Sequence, residues 1–205
     1  MTGKIKLNAA SGGGSVSFQA PSSTGDDRII TLPTSADGTV LTTTNPKAGN
    51  IIQVVQTVKT DTFSTTSPAE TAFVDTGLSV AITPSATSSK ILILWNMQIG
   101  ASGDNVTYMR LQRGSTDILL ADTSSTRVRT SQAQGGGYGS GWKIDVVAGQ
   151  YLDSPSTTSA TTYKWVWASN GTATAYMNRS GRDHTTTNDE DARTTSSITA
   201  MEVAG

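Results

Sequence analysis

From Asn50 onward the chain alternates short apolar runs with clusters of Thr, Ser, Gly, Asn and Asp. No run keeps the period of about 3.6 residues over a helical length, whereas period-two alternation bounded by turn residues marks half-buried β-strands. The runs are NIIQVVQTV, AFVDTGLSVAITP, KILILWNMQIG, NVTYMRLQRG, TDILLA, GWKIDVV, GQYLDS, TTYKWVWASNGTATAYMNR and SSITAMEVA. Strands at nearly even spacing with turns between them predict a jelly-roll-like antiparallel β-sandwich over 50–205. In KILILWNMQIG the apolar run is unbroken from Ile91 to Trp95, which predicts a strand buried on both faces. TTYKWVWASNGTATAYMNR predicts a hairpin with a type I′ turn at Asn170-Gly171. Its outgoing strand sets Tyr163, Trp165 and Trp167 on one face, and its return sets Ala173, Ala175 and Met177 on one face with Tyr176 on the other. Aromatics alternating along strands form core more often than ligand platforms, so Trp95, Trp165 and Trp167 are expected inside.

Residues 1–46 have a thinner pattern. KIKLNA places Ile5 and Leu7 on one face, GGGSVSFQAP places Val16 and Phe18 on one face, and DDRIITLP and DGTVLTTT follow, the last opening on an Asp37-Gly38 turn. A lone hairpin with so little to bury is marginal in water. The segment is therefore expected to draw its missing bulk from other chains, holding copies together or docking them on a larger assembly. NPKAG then breaks the alternation, giving a linker at 47–49 before the larger domain.

Composition sharpens this picture. Leu, Ile, Val and Phe total 38 of 205 residues, just under the roughly 20% that accompanies disorder when net charge is also high. The formal net charge is only −1, so that reading fails, and the missing bulk is replaced by Thr, Ser, Gly and Ala. A β protein with so thin a core is expected to complete its burial between subunits, as an obligate trimer. The near-neutral balance and the lack of any Lys/Arg run argue against a nucleic-acid partner, because phosphate neutralisation needs clustered cations. The chain has no cysteine, which removes disulfides and thiolate metal sites. Met1 is followed by Thr2, Gly3 and Lys4 without the apolar run of a secretory leader, and no stretch approaches the ~20 apolar residues of a membrane span. No membrane insertion is expected.

KIKLNAASGGGSVSFQAPSS with RIITLPTSADGTVLTTT resembles the β-rich N-terminal modules of tail-fibre and related virion proteins of tailed bacteriophages. GNIIQVVQTVKTDTFSTTS, FVDTGLSVAITPSATSSKILI, RLQRGSTDI and YLDSPSTTSATTYKWVW resemble a C-terminal module of aquatic phage fibre proteins. The resemblance implies a virion structural protein, a homotrimer whose N-terminal segment contacts other virion proteins and whose head is a β-sandwich. It fits a short tail fibre presenting its head to a host-surface glycan, and equally a capsid fibre or decoration protein that stabilises the head shell. Fibre tips with His-x-His metal motifs have no counterpart here, since the chain has one histidine.

Candidate chemistry is sparse. GRDHTTTNDEDAR, 181–193, gathers Asp183, His184, Asn188, Asp189, Glu190 and Asp191 without the spacing of an EF-hand loop. It reads first as a solvated loop before the last strand and second as a calcium-type site. RTSQAQGGGYGSGW, 129–142, is Gly-rich but lacks the Lys-Ser/Thr ending of a phosphate-binding loop. It reads as a mobile loop, and Tyr138 and Trp142 set among Gly and Ser make it the candidate receptor-binding loop, with rings on which sugars stack. Arg110, Arg113, Arg127 and Arg129 are scattered, so paired charges are expected rather than an anion site. No nucleophile-base pair stands out, and neither an enzyme activity, a cofactor nor a resident metal is expected.

Overall fold

The computed structural model describes residues 4–8, 11–13, 15–19, 46–66, 69–102, 106–135, 141–170, 173–183 and 191–205. The chain divides into two compact units, Met1–Val40 and Leu41–Gly205. In the first, β1 (Lys4–Asn8) and β2 (Ser15–Gln19) pair antiparallel with Ile5 opposite Phe18 and Leu7 opposite Val16. Ile5 and Leu7 are both exposed. The strands expected in DDRIITLP and DGTVLTTT, with the Asp37-Gly38 turn, lie outside the described residues.

The second unit is an all-β sandwich of two antiparallel sheets. Its strands are β3 (Ile51–Lys59), β4 (Phe63–Thr66), β5 (Val74–Ile82), β6 (Lys90–Ala101), β7 (Val106–Arg113), β8 (Thr116–Ile118), β9 (Gln132–Gly135), β10 (Asp145–Asp153), β11 (Thr161–Ser169), β12 (Thr174–Met177) and β13 (Ser196–Val203). One sheet runs β3-β13-β6-β12-β4 with β10 on the other side of β6, and the other runs β5-β11-β7-β8 with β9 also on β7. The stretches GWKIDVV and GQYLDS, expected as two strands, form the single strand β10. Within the expected mobile loop 129–142, Gln132–Gly135 is instead strand β9, because Val106–Met109 of β7 offers it a paired edge. The short strand β4 carries too few apolar residues for its pattern to stand out.

The expected hairpin through Asn170 does not form. The strands β11 and β12 sit in opposite sheets, β11 pairing with β5 and β7 while β12 pairs with β4 and β6. Long-range hydrogen bonds hold the crossing: the Asn170 N–H donates to the Val106 carbonyl at 2.9 Å, and the Thr174 N–H donates to the Ser102 hydroxyl at 2.9 Å. The apolar faces of the two strands therefore oppose each other across the core, burying more surface than side-by-side pairing would. Tyr163, Trp165 and Trp167 are fully buried, as are Ala175 and Met177 facing them. Two aromatic pairs bridge the sheets: Trp95 meets Trp165 edge-on at 4.9 Å, and Phe63 stacks on Trp167 at 5.7 Å. Such pairs add about 0.5–1.5 kcal/mol each beyond area burial.

The strand β6 is not buried on both faces either. Ile91, Ile93, Trp95, Met97 and Ile99 enter the core, but Leu92 and Leu94 point outward and are only half-covered. An apolar run marks a doubly covered strand only where a second layer lies outside the sheet.

Two polar clusters inside the sandwich are fully engaged. Asp153 accepts from the Tyr163 hydroxyl at 2.7 Å and from Arg113 Nη1 at 2.9 and 3.0 Å. Burial, followed by this carboxylate acceptor, pushes the Tyr163 phenol well above its ordinary range. Glu202 is fully buried and accepts from the Ser85 N–H, the Ser85 and Ser89 hydroxyls and Gln53 Nε2, at 2.6 to 2.7 Å. Burial pushes this carboxyl up, but the four donors outweigh it and hold the group below the ordinary glutamate value.

Along β6, β12 covers Ile99–Ala101 and β13 covers Lys90–Asn96 from the same side. The two strands thus form one line from which the chain leaves after Met177 and returns at Ser196. Asn178 seals the exit. Its Nδ2 donates to the Lys59 and Asp61 carbonyls at 2.8 and 2.9 Å, and its Oδ1 accepts from the Ser196 hydroxyl at 2.6 Å. Its own carbonyl accepts from the Thr194 N–H at 3.1 Å, and Arg179 and Arg193 form an isolated bridge just beyond. Asn178 has φ 63°, a left-handed conformation that Asn tolerates better than most residues.

Candidate functional site

The chain that leaves the sheet at Asn178 folds back over the end of β6. Gly100 and Gly181 permit this close approach, because a Cβ on Gly100 would lie 2.5 Å from the Arg179 carbonyl and one on Gly181 2.9 Å from the Ala101 carbonyl. The Arg182 N–H then donates to the Gly141 carbonyl at 2.9 Å. This contact joins the two segments singled out in the sequence, 129–142 and 181–193.

A corner of rings and guanidinium groups results. Trp142 is 52% exposed and lies 5.2 Å from the Arg182 guanidinium, while the Arg179 guanidinium lies 4.2 Å over the Tyr176 ring. Asp191, its side chain 3% exposed, takes Arg182 Nε at 3.1 Å and the Ser180 hydroxyl at 2.9 Å. Asp183 takes Arg179 at 3.1 Å and Arg193 at 2.8 Å. These arginines do two things: they pair with Asp183 and Asp191, two of the carboxylates that read in sequence as calcium ligands, and Arg179 and Arg182 lie beside aromatic faces. The corner is built for stacking and for planar hydrogen bonding to hydroxyl or carboxylate groups.

Of the two rings assigned to the receptor-binding loop, Trp142 stands in this corner, and Tyr138 lies outside the described residues. His184, Asn188, Asp189 and Glu190 lie outside them too. Tyr176, Arg179 and Arg182 were not foreseen as site residues, although Tyr176 faces away from the apolar side of its strand and the stretch from Arg179 to Arg193 holds both arginines and carboxylates. The expected pairing of the scattered arginines holds for Arg110, on Asp117 at 2.8 Å, and for Arg113 on Asp153.

A second concavity, of about 400 Å³, opens between the sheets where β10 faces the segment from Leu119 to Gln132. Its floor is an edge of Trp95, reached only because Gly149 has no side chain: a Cβ there would stand 2.6 Å from Trp95 Cζ2. Its lining carries no titratable group, so it offers shape and neutral hydrogen bonding.

No family model matches the chain, and no curated protein matches it in sequence. Solved structures similar to it include those of the infectious bursal disease virus Gx strain, with 13% identity over 94% of this chain and 43% of that one at a TM-score of 0.41. The T=1 particles derived from that virus give 10% identity over 93% and 46% at 0.42, and its VP2 subviral particle gives 12% over 93% and 46% at 0.41. The chain spans less than half the length of these chains. At such TM-scores the likeness assigns no role.

Proposed function

We propose that the protein is a non-enzymatic bacteriophage virion component, a short homotrimeric tail fibre that joins the particle through its N-terminal segment and presents its sandwich to a host-surface glycan. The observation that carries this reading is the Trp142 corner: an exposed indole braced by Arg182, whose segment also lays Arg179 over Tyr176, at an end of a sandwich whose core is complete without it. Sugar rings stack on such indoles, and guanidinium groups bind their hydroxyls and acidic substituents. Affinity at each corner is low, and several trimers on one particle raise it by effective concentration. The exposed Ile5 and Leu7 on β1 supply an apolar stripe for attachment to other virion proteins.

The purified protein is tested on a panel of bacterial surface polysaccharides. Trp142→Ala is expected to keep the wild-type melting temperature and weaken binding at least about tenfold, the loss of one stacking ring. Unchanged binding of Trp142→Ala removes the corner from the function, and release of reducing ends makes the protein an enzyme. The second reading, a capsid decoration protein, is favoured by the same Ile5 and Leu7 stripe, which suits a capsomer seam. Antibody-labelled virions decide between them by showing label on the tail or on the shell.

A further inference from the structure

The register of the six-stranded sheet sets its outward side chains in rows. Leu152, Leu92, Met201 and Val54 stand opposite one another across β10, β6, β13 and β3. The next row is Gln150, Leu94, Thr199 and Gln56, and the one after is Ala148, Asn96, Ser197 and Val58. Val54 is 55% exposed, Val58 52%, Leu152 46%, and Val146 beside them 60%. The outer face of the other sheet is different: it carries Asp75, Lys164 and Arg110, in ion pairs with one another or with Asp117. The sandwich thus has one charged face and, across β10, β6, β13 and β3, one face of aliphatic, amide and hydroxyl groups on which Lys90, at a corner, is the only charge among the described residues of these four strands.

We infer that this face is covered by another copy of the same chain, with the copies turning it toward a common symmetry axis. Around an axis like rows meet like rows, so the surface must suit itself. Charged groups would repel their own images, whereas Gln, Asn, Ser and Thr each donate and accept and so pair with themselves. Aliphatic rows need no complement beyond shape. Area supports the same occupant. Four strands about 4.8 Å apart, followed from Lys90 to Gln98 at about 3.3 Å per residue, make a face of about 19 by 30 Å. Three such faces turned to one axis bury about 1,700 Å² in all, within the roughly 1,200–2,000 Å² of specific associations. The inference deepens the oligomeric part of the proposed function and is independent of glycan binding.

Sedimentation and light scattering of the full chain at micromolar concentration are expected to give about three times 21.3 kDa. The pair Val54→Asp and Leu152→Asp, at exposed positions of the first of these rows, is expected to give 21.3 kDa with an unchanged β-sheet circular dichroism spectrum. Should that pair fail to fold, Val54→Ser with Leu152→Ser is expected to raise the dissociation constant at least about tenfold. The native chain has no cysteine, so Met201→Cys gives a direct readout: a disulfide-linked species under mild oxidation. A monomeric wild type overturns the inference. An oligomer insensitive to both pairs, without cross-linking at Met201→Cys, overturns it while leaving the trimer standing. Binding of Trp142→Ala to polysaccharide is read separately and bears on neither result.

Discussion

Replacing Asn178 by Ala tests how the sheet closes over its own interruption. The substitution removes two donors from the Lys59 and Asp61 carbonyls and the acceptor of the Ser196 hydroxyl, a side chain only 1% exposed. Each of the first two losses is worth about 1 kcal/mol, and the buried hydroxyl left without an acceptor about 1–2 kcal/mol. Alanine at φ 63° adds about 1 kcal/mol of backbone strain. The sum is about 4–5 kcal/mol, which for a chain of this length lowers the melting temperature by roughly 8–20 °C. Asn178→Gly loses the same hydrogen bonds without the strain, and after its unfolded-state entropy is counted it is expected to be as stable as Asn178→Ala or up to about 0.6 kcal/mol more so. Urea denaturation followed by tryptophan fluorescence, at fixed protein concentration, measures both. An Asn178→Ala loss below about 1 kcal/mol, or a glycine variant less stable than the alanine one, would refute the assignment of Asn178 as the seal.

Three other expectations follow from the same contacts. Because Glu202 titrates below its ordinary value when folded, its contribution is fully present above the unfolded value of 4.5 and is lost as pH falls through the folded one; Glu202→Gln is therefore expected to be less stable at neutral pH and to lose less stability between neutrality and strong acid, as thermal melts across that range would show. Gly149→Ala drives a Cβ against Trp95 and is expected to lower stability by about 1–3 kcal/mol, with a change in near-ultraviolet circular dichroism from the Trp95 and Trp165 pair; wild-type behaviour would mean that the indole moves freely. Removing Tyr163's hydroxyl as Tyr163→Phe leaves Asp153 with Arg113 alone and is expected to cost about 1–2 kcal/mol, measured by denaturant titration; no change would show that Asp153 finds another donor.

Strands were legible in the sequence wherever polar and apolar residues alternate, as in β5, β7, β10 and β13, because alternation reports one buried face directly. Sheet membership was not. The Asn170-Gly171 dipeptide is a local turn signal, and the apolar faces on either side of it look the same whether two strands pair or oppose each other. What decides the outcome is Val106 and Ser102, which hold the two ends of the crossing from more than sixty residues away. Leu92 and Leu94 misled for a related reason: an unbroken apolar run says that both faces avoid water, not that this chain supplies both covers. At the candidate site Trp142 was visible as an aromatic ring among glycines. Its partner was not, since Arg182 reaches it only through the departure at Asn178.

That departure also uncouples two properties that chain connectivity normally ties together. The sheet reads from Met177 to Ser196 as though the residues between them had been spliced out, and the register on both sides is set by β6 rather than by the length of the excursion. The register on either side is thus held at the neck, by the Thr194 N–H on the Asn178 carbonyl and by the Arg179–Arg193 bridge. The head is in this sense a sheet whose core register is independent of the length of chain that interrupts it.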